Sequence, residues 1–439
     1  MDDNNLEAWQ TLVHVCQRWR SVVFGAPRRL NLRLVFSANT PARDTLDVWP
    51  ALPLLIQCYQ GLKNASLDNI VAVLERSNRV REIVLNGISS SYFEKLSATM
   101  QEPFPKLRHL ELSLYKETVP VLPDPFLGGS APRLRFLYLR GIPSPGLPKL
   151  LLSTIHLATL RLYDIPHSGY ISPGAIAIAL SKLTRLGILQ LEFQSPRYCP
   201  DLTSRRPPPP TRFILPALKR FSFKGVSEYL EDLVAHIDAP RLFQFHITFF
   251  NQIVFDTPQL IQFISRTSAL KSPEKARLIF EKNAARVTLR ASGYGLGELK
   301  VKILCRELDW QVSSLEQVCT VCLPSFSTLE DLYISEHPNW HPVRQDNIEN
   351  MLWLELLQPF TTVKNFYLSE KFASSIVVSL KELVGGGMTE VLPTLQNIFL
   401  EGLQTSGPVV QEGIRQFVAT RQTSHPILVS CWDTLLDSF

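Results

Sequence analysis

The sequence predicts an α/β solenoid: a curved parallel sheet of short strands with helices on its outer face. Three observations predict it. A short apolar pattern recurs along the 439 residues at roughly regular steps. Stretches with apolar spacing near 3.6 lie between several copies. With 45% hydrophobic and 19% charged residues, the chain has ample material for a core.

The recurring pattern is Leu-x-x-Leu-x-Leu, or an aromatic or β-branched variant, often preceded by Pro. It reads "NRVREIVL" (78–85), "FPKLRHLEL" (104–112), "APRLRFLYL" (131–139), "IHLATLRL" (155–162) and "LTRLGILQL" (183–191). It continues as "LPALKRFSF" (215–223), "APRLFQFHI" (239–247), "FSTLEDLYI" (326–334), "FTTVKNFYL" (360–368) and "LPTLQNIFL" (392–400). The last apolar positions are separated by 27, 27, 23, 29, 32, 24, 87, 34 and 32 residues. Most of these steps fall at or near the period of leucine-rich repeats. Alternate residues such as Leu110 and Leu112 point to one face of a strand, and Leu107 packs in from the preceding turn. One unit cannot bury that face alone, whereas stacked copies share a continuous core.

Helices are expected at 69–77, 91–100, 173–183, 228–237, 258–265, 347–357, 375–384 and 409–419. The repeats are irregular, and no Asn recurs at the position that ladders between turns in regular leucine-rich repeats. The step of 87 holds "ARLIFEKNAARVTLR" (276–290) and "ELKVKILC" (298–305), further strands that break the template, a hairpin among the options, as an irregular insertion around 270–312. "KSPEKAR" (271–277) reads as solvated loop, and "SRRPPPPTR" (204–212) as an extended polyproline II loop.

Residues 6–30, "LEAWQTLVHVCQRWRSVVFGAPRRL", differ from the rest. Trp9, Leu12, Val13, Val15, Cys16, Trp19, Val22 and Val23 form a broad apolar helical surface. Gly25 and Pro27 end it, and "RLNLRLVF" (29–36) reads as a strand. The Trp, Leu, Val-Cys and Arg-Trp-Arg pattern before a Pro-containing turn resembles the second half of an F-box. The continuation "NLRLVFSANTPARDTLDVWPALPLLIQ" adds to the likeness. With the repeats, the whole chain resembles the F-box proteins with degenerate leucine-rich repeats of mushroom-forming (basidiomycete) fungi.

The resemblance implies a substrate receptor of a cullin-RING (SCF) ubiquitin ligase, docked on a Skp-type adaptor and holding an unknown protein target. Trp9, Leu12, Val15, Cys16 and Trp19 would then serve the F-box core or the adaptor face. Capping the first repeat is the structural alternative for them. Residues 1–36 would be a truncated F-box-like segment and cap, and 37–439 the repeat array. The first half of an F-box, a Leu-Pro-x-Glu helix, does not precede Leu6. A truncated product, or a stand-alone repeat scaffold that has lost adaptor binding, are both open.

The target would lie on the concave face. Residues assigned there are Arg108, His109, Glu111, Arg135, Tyr138, Arg161, Gln190, Arg220, Gln244, His246, Tyr333, Tyr367 and Phe399. Arg and Tyr are frequent interface anchors.

Other functions find little footing. Cys319, Cys322, His337 and His341 have zinc-finger spacing. Their intervening residues, however, belong to the repeat strand "FSTLEDLYI", Pro338 separates the histidines, and 318–341 holds no Lys or Arg. No metal and no cofactor are expected. Net charge is +5, from 45 basic and 40 acidic residues, a weak bias that argues for no nucleic-acid partner. No stretch approaches the ~18 apolar residues that span a bilayer, so no membrane partner is expected. No nucleotide fingerprint, nucleophile elbow or His-Glu-x-x-His occurs, and no enzyme is expected. Seven scattered cysteines and no secretory signal suggest reduced thiols in the cytoplasm or nucleus.

Overall fold

A computed structural model describes residues 8–25, 31–59, 64–114, 120–196, 211–252, 254–291, 297–324, 326–338, 340, 349–382, 391–401, 408–421 and 426–432. Cys199, His341 and residues 204–210 of the proline stretch lie outside them. The fold is mixed α/β with mostly parallel strands, divided into two compact units.

The first unit comprises Met1–Ile171 and Lys182–Leu186. It runs α1 (Ala8–Val15), α2 (Gln17–Gly25), β1 (Leu34–Phe36), α3 (Ala42–Val48), β2 (Leu54–Cys58), α4 (Asn64–Leu74) and β3 (Val80–Ile88). Then follow α5 (Ser90–Thr99), β4 (His109–Leu114), β5 (Phe136–Arg140), α6 (Leu147–Leu151) and β6 (Thr159–Ile165). Strands β1 to β6 pair in sequence order, all parallel. The register sets Leu110 beside Leu137 and Leu160, and Leu112 beside Leu139 and Leu162. All six are buried, as are Leu107, Leu134 and Leu157 from the preceding turns. The Leu-x-x-Leu-x-Leu pattern is therefore three layers of core side chains.

The second unit comprises Ser172–Ser181 and Gly187–Phe439. It holds α7 (Pro173–Leu180), β7 (Ile188–Phe193), β8 (Phe213–Ile214), β9 (Arg220–Gly225), α8 (Ser227–His236), β10 (Ile237–Asp238), β11 (Gln244–Phe249) and α9 (Pro258–Arg266). Next come β12 (Lys275–Glu281), β13 (Ala284–Arg290), β14 (Glu298–Ile303), α10 (Leu308–Gln317) and β15 (Asp331–Glu336). The last described elements are α11 (Asn350–Leu357), β16 (Asn365–Leu368), α12 (Glu370–Glu382), β17 (Asn397–Glu401), α13 (Pro408–Thr420) and β18 (Leu428–Trp432). The main sheet order is β7-β9-β11-β14-β13-β12-β15-β16-β17-β18, and β8 pairs with β10 apart from it.

The long step in the repeat is a threefold excursion. Strand β12 turns back through Lys282 and Asn283 into β13, and β13 pairs antiparallel with both neighbours. Strand β14 then lies parallel beside β11, and β12 parallel beside β15. The expected loop at 271–277 is corrected in part: Lys275, Ala276 and Arg277 already belong to β12, because Ala276 takes a core position beside Leu332.

On one side of each sheet, successive helices pack on one another, α3 on α4 on α5 and α10 on α11 on α12 on α13. The opposite face carries the alternate positions, which are polar or aromatic. Parallel sheets commonly bury both faces, whereas this second face stays half-buried.

Candidate interaction surfaces

Helices α1 and α2 form a hairpin that turns at Cys16. The Trp9 ring lies 6.3 Å from Phe24 and 5.3 Å from Trp49, edge to face. The Arg20 Nε donates to Val13 O at 3.1 Å. Trp9, Val13 and Val23 are thereby buried, and Leu12 is half-buried. Val15, Trp19 and Val22 instead keep 61%, 47% and 65% of their surface exposed, and Cys16 is exposed too. Of the five residues assigned to an adaptor, Trp9 lies inside the hairpin and Val15, Cys16 and Trp19 face outward.

On the first unit's polar face, β4 to β6 bring His109, Glu111, Tyr138 and Arg161 together. The register sets Glu111 beside Tyr138 and Tyr138 beside Arg161. His109 stacks on Phe136 at 4.1 Å, and Arg161 sits over the same ring at 5.8 Å. His109 Nε2 stands 3.8 Å from Glu111. Tyr138 lies 5.3 Å from Tyr163, and burial raises its hydroxyl pKa. Arg108 and Arg135 stand one residue ahead of their strands, out of phase with Glu111 and Tyr138, and exposed. They pass the register on through backbone, Arg135 N donating to Arg108 O at 2.9 Å.

In the second unit, Gln190 pairs in register with Ser222 and Ser222 with His246, while Arg220 pairs with Gln244 and Gln244 with Glu298. Glu298 is the anchor here. His246 Nε2 donates to it at 2.7 Å, Arg290 Nη2 at 2.6 Å, and Lys300 Nζ stands 3.9 Å away. Burial pushes the Glu298 pKa up, but the Arg290 and His246 hydrogen bonds and the nearby cations prevail and hold it below the usual carboxylate value.

Strands β15 to β17 repeat position for position, and so do their side chains. Tyr333, Tyr367 and Phe399 stack at 4.1 and 4.5 Å, and Trp432 leans on both tyrosines at 5.9 and 5.7 Å. Tyr333 is buried in this cluster, while Tyr367 and Phe399 are half-buried. Beside the rings runs a polar ladder. Asn397 Nδ2 donates to Asn365 Oδ1 at 2.7 Å, and Asn365 Nδ2 to Asp331 Oδ1 at 2.8 Å. Phe136, Trp432 and this ladder were not singled out from sequence. The signal was present in the aligned "EDLYI", "KNFYL" and "QNIFL", where Asp or Asn precedes apolar-aromatic-apolar each time.

The cysteines of the zinc-like spacing lie apart from any open surface. Cys319 and Cys322 sit on the π-helical turn Val318–Cys322 that follows α10, both buried. Burial raises both thiols, Cys322 to about 12. An open recess of about 530 Å³ lies at the ends of β11 and β14, lined by residues including Asn251, Asn283, Arg306, Glu307 and Trp310. Its Cys305 thiol is raised to about 11, which keeps it protonated at neutral pH and poor as a nucleophile. Among the described residues, no helix is long and apolar enough to cross a membrane. No protein-family model matches the sequence, and no curated protein matches it either.

Proposed function

We propose that the chain is a non-catalytic recognition subunit built as an irregular leucine-rich-repeat solenoid. Its N-terminal hairpin docks a Skp-type adaptor, and its polar sheet face holds a protein target, in the manner of an SCF ubiquitin ligase receptor. The observation that carries this reading is the outward set Val15, Cys16, Trp19 and Val22 on a hairpin that buries Trp9, Val13 and Val23. Clustered exposed apolar side chains mark contact sites, and tryptophan is a frequent binding anchor. The F-box-like spacing of these residues names the adaptor. The rings and ion pairs fixed on the sheet supply the second surface, because side chains already held by neighbours lose little freedom on binding. On this reading the reduced thiols belong to the cytoplasm or nucleus.

A pull-down of the Skp adaptor with the chain and with its Trp19→Ala variant tests the proposal, with circular dichroism confirming that both fold. The expected result is capture that falls about tenfold or more with the variant, the loss of one aromatic anchor. A folded chain that captures no adaptor would overturn the adaptor assignment and favour a stand-alone scaffold.

A further inference from the structure

The antiparallel excursion β12–β14 concentrates the charge of the chain. Its polar face carries Lys275, Arg277, Arg286, Arg290, Lys300 and Lys302 against only Glu281 and Glu298. That is an excess of four positive charges within a chain whose net charge is +5. The register sets Lys300 beside Thr288 and Thr288 beside Arg277, with Lys302 beside Arg286 in the next row.

The charges are also layered. Glu281 and Glu298 keep 17% and 13% of their side-chain surface open, whereas Arg286, Lys302, Lys300, Arg290 and Lys275 keep 26% to 42%. The carboxylates lie beneath and hold the cations in place, Lys302 at 2.6 Å and Arg286 at 3.2 Å from Glu281. What faces solvent is positive. The Nε of Arg286 is buried with no hydrogen-bond partner among the described residues.

We infer that this face binds an acidic, extended segment of a protein target. The inference rests on the recognition reading above and names the chemistry of its partner. Lys300 and Lys302 are two residues apart on one strand, a spacing of ~7 Å that matches alternate side chains of an extended peptide. The platform is three strands, ~10 Å, across, room for a few carboxylates. Asp331 borders it on β15, in register with Lys275, and Glu192 lies on β7, so a long polyanion such as nucleic acid would run onto like charge.

Fluorescence anisotropy of a labelled oligoglutamate peptide with the full chain tests this. The comparisons are a Lys300→Glu/Lys302→Glu variant and a charge-matched control, Lys95→Glu/Lys149→Glu, on exposed helix positions. The expected result is binding that weakens with salt, falls about tenfold or more in the first variant and holds in the control. Arg277→Gln gives a second, milder reading should the double reversal fail to fold. Equal loss in the control, absence of binding, or tighter binding of a charge-matched oligoribonucleotide would each overturn the inference. The adaptor pull-down reports separately. Capture without peptide binding removes only this inference, and peptide binding without capture removes only the adaptor assignment.

Discussion

Trp9 and Trp19 look alike in sequence, two tryptophans on one apolar helical surface, yet they do opposite things. The turn at Cys16 folds the helix back, so Trp9 packs on Phe24 and Trp49 while Trp19 faces out. Trp9→Ala is expected to cost about 3–5 kcal/mol of stability, and Trp19→Ala about 0.5 kcal/mol or less; urea unfolding of both measures the contrast. The cysteines divide in the same way. Cys16 and Cys431 are exposed, whereas Cys58, Cys305, Cys319 and Cys322 are buried with raised pKa values. A thiol reagent at neutral pH is expected to label the first pair promptly and the other four only on unfolding, as peptide mass spectrometry would show. A thiol raised in the folded state stabilises fully below its ordinary value of 9.0, so stability falls as pH climbs past that point.

At the scale of elements, the buried carboxylate of Glu231 joins two helices. It stands on α8 and accepts from Gln259 N at 2.6 Å and Leu260 N at 2.9 Å, two of the free amides that open α9. Glu231→Ala is expected to cost about 2–3 kcal/mol in urea unfolding, and Glu231→Gln less, since an acceptor remains. Helices and repeat strands were legible because their apolar spacing is strong: α8, α9 and α13 lie within one residue of the expected limits. Strand β2 was not, because "LLIQC" is buried at four of five positions and shows no alternation. Helices α3 and α6 are too short to show a period, and β18 lacks the leucine pattern and keeps only Trp432 buried.

At the scale of the molecule, a sequence of nearly balanced charge hides a local imbalance that only the strand register reveals. The residues around 270–312 were legible as strands and as a hairpin, but not as the three-stranded platform that sets six cations over two carboxylates, since the third strand's partners are not encoded in spacing. Glu298 ties that platform together. Its pKa is lowered in the folded state, so its contribution is present above the ordinary carboxylate value and lost as pH falls through the lowered one. Glu298→Gln is expected to cost about 1–3 kcal/mol at pH 7 and nearly nothing in strong acid, read as the difference in urea midpoints. The proposed adaptor contact lies on the outward side of the α1–α2 hairpin. Hydrogen exchange of the chain with and without a Skp-type adaptor tests that most directly. Protection confined to α1 and α2, centred on Val15 to Val22, is the expected result; unchanged exchange there, with the chain folded, would contradict it.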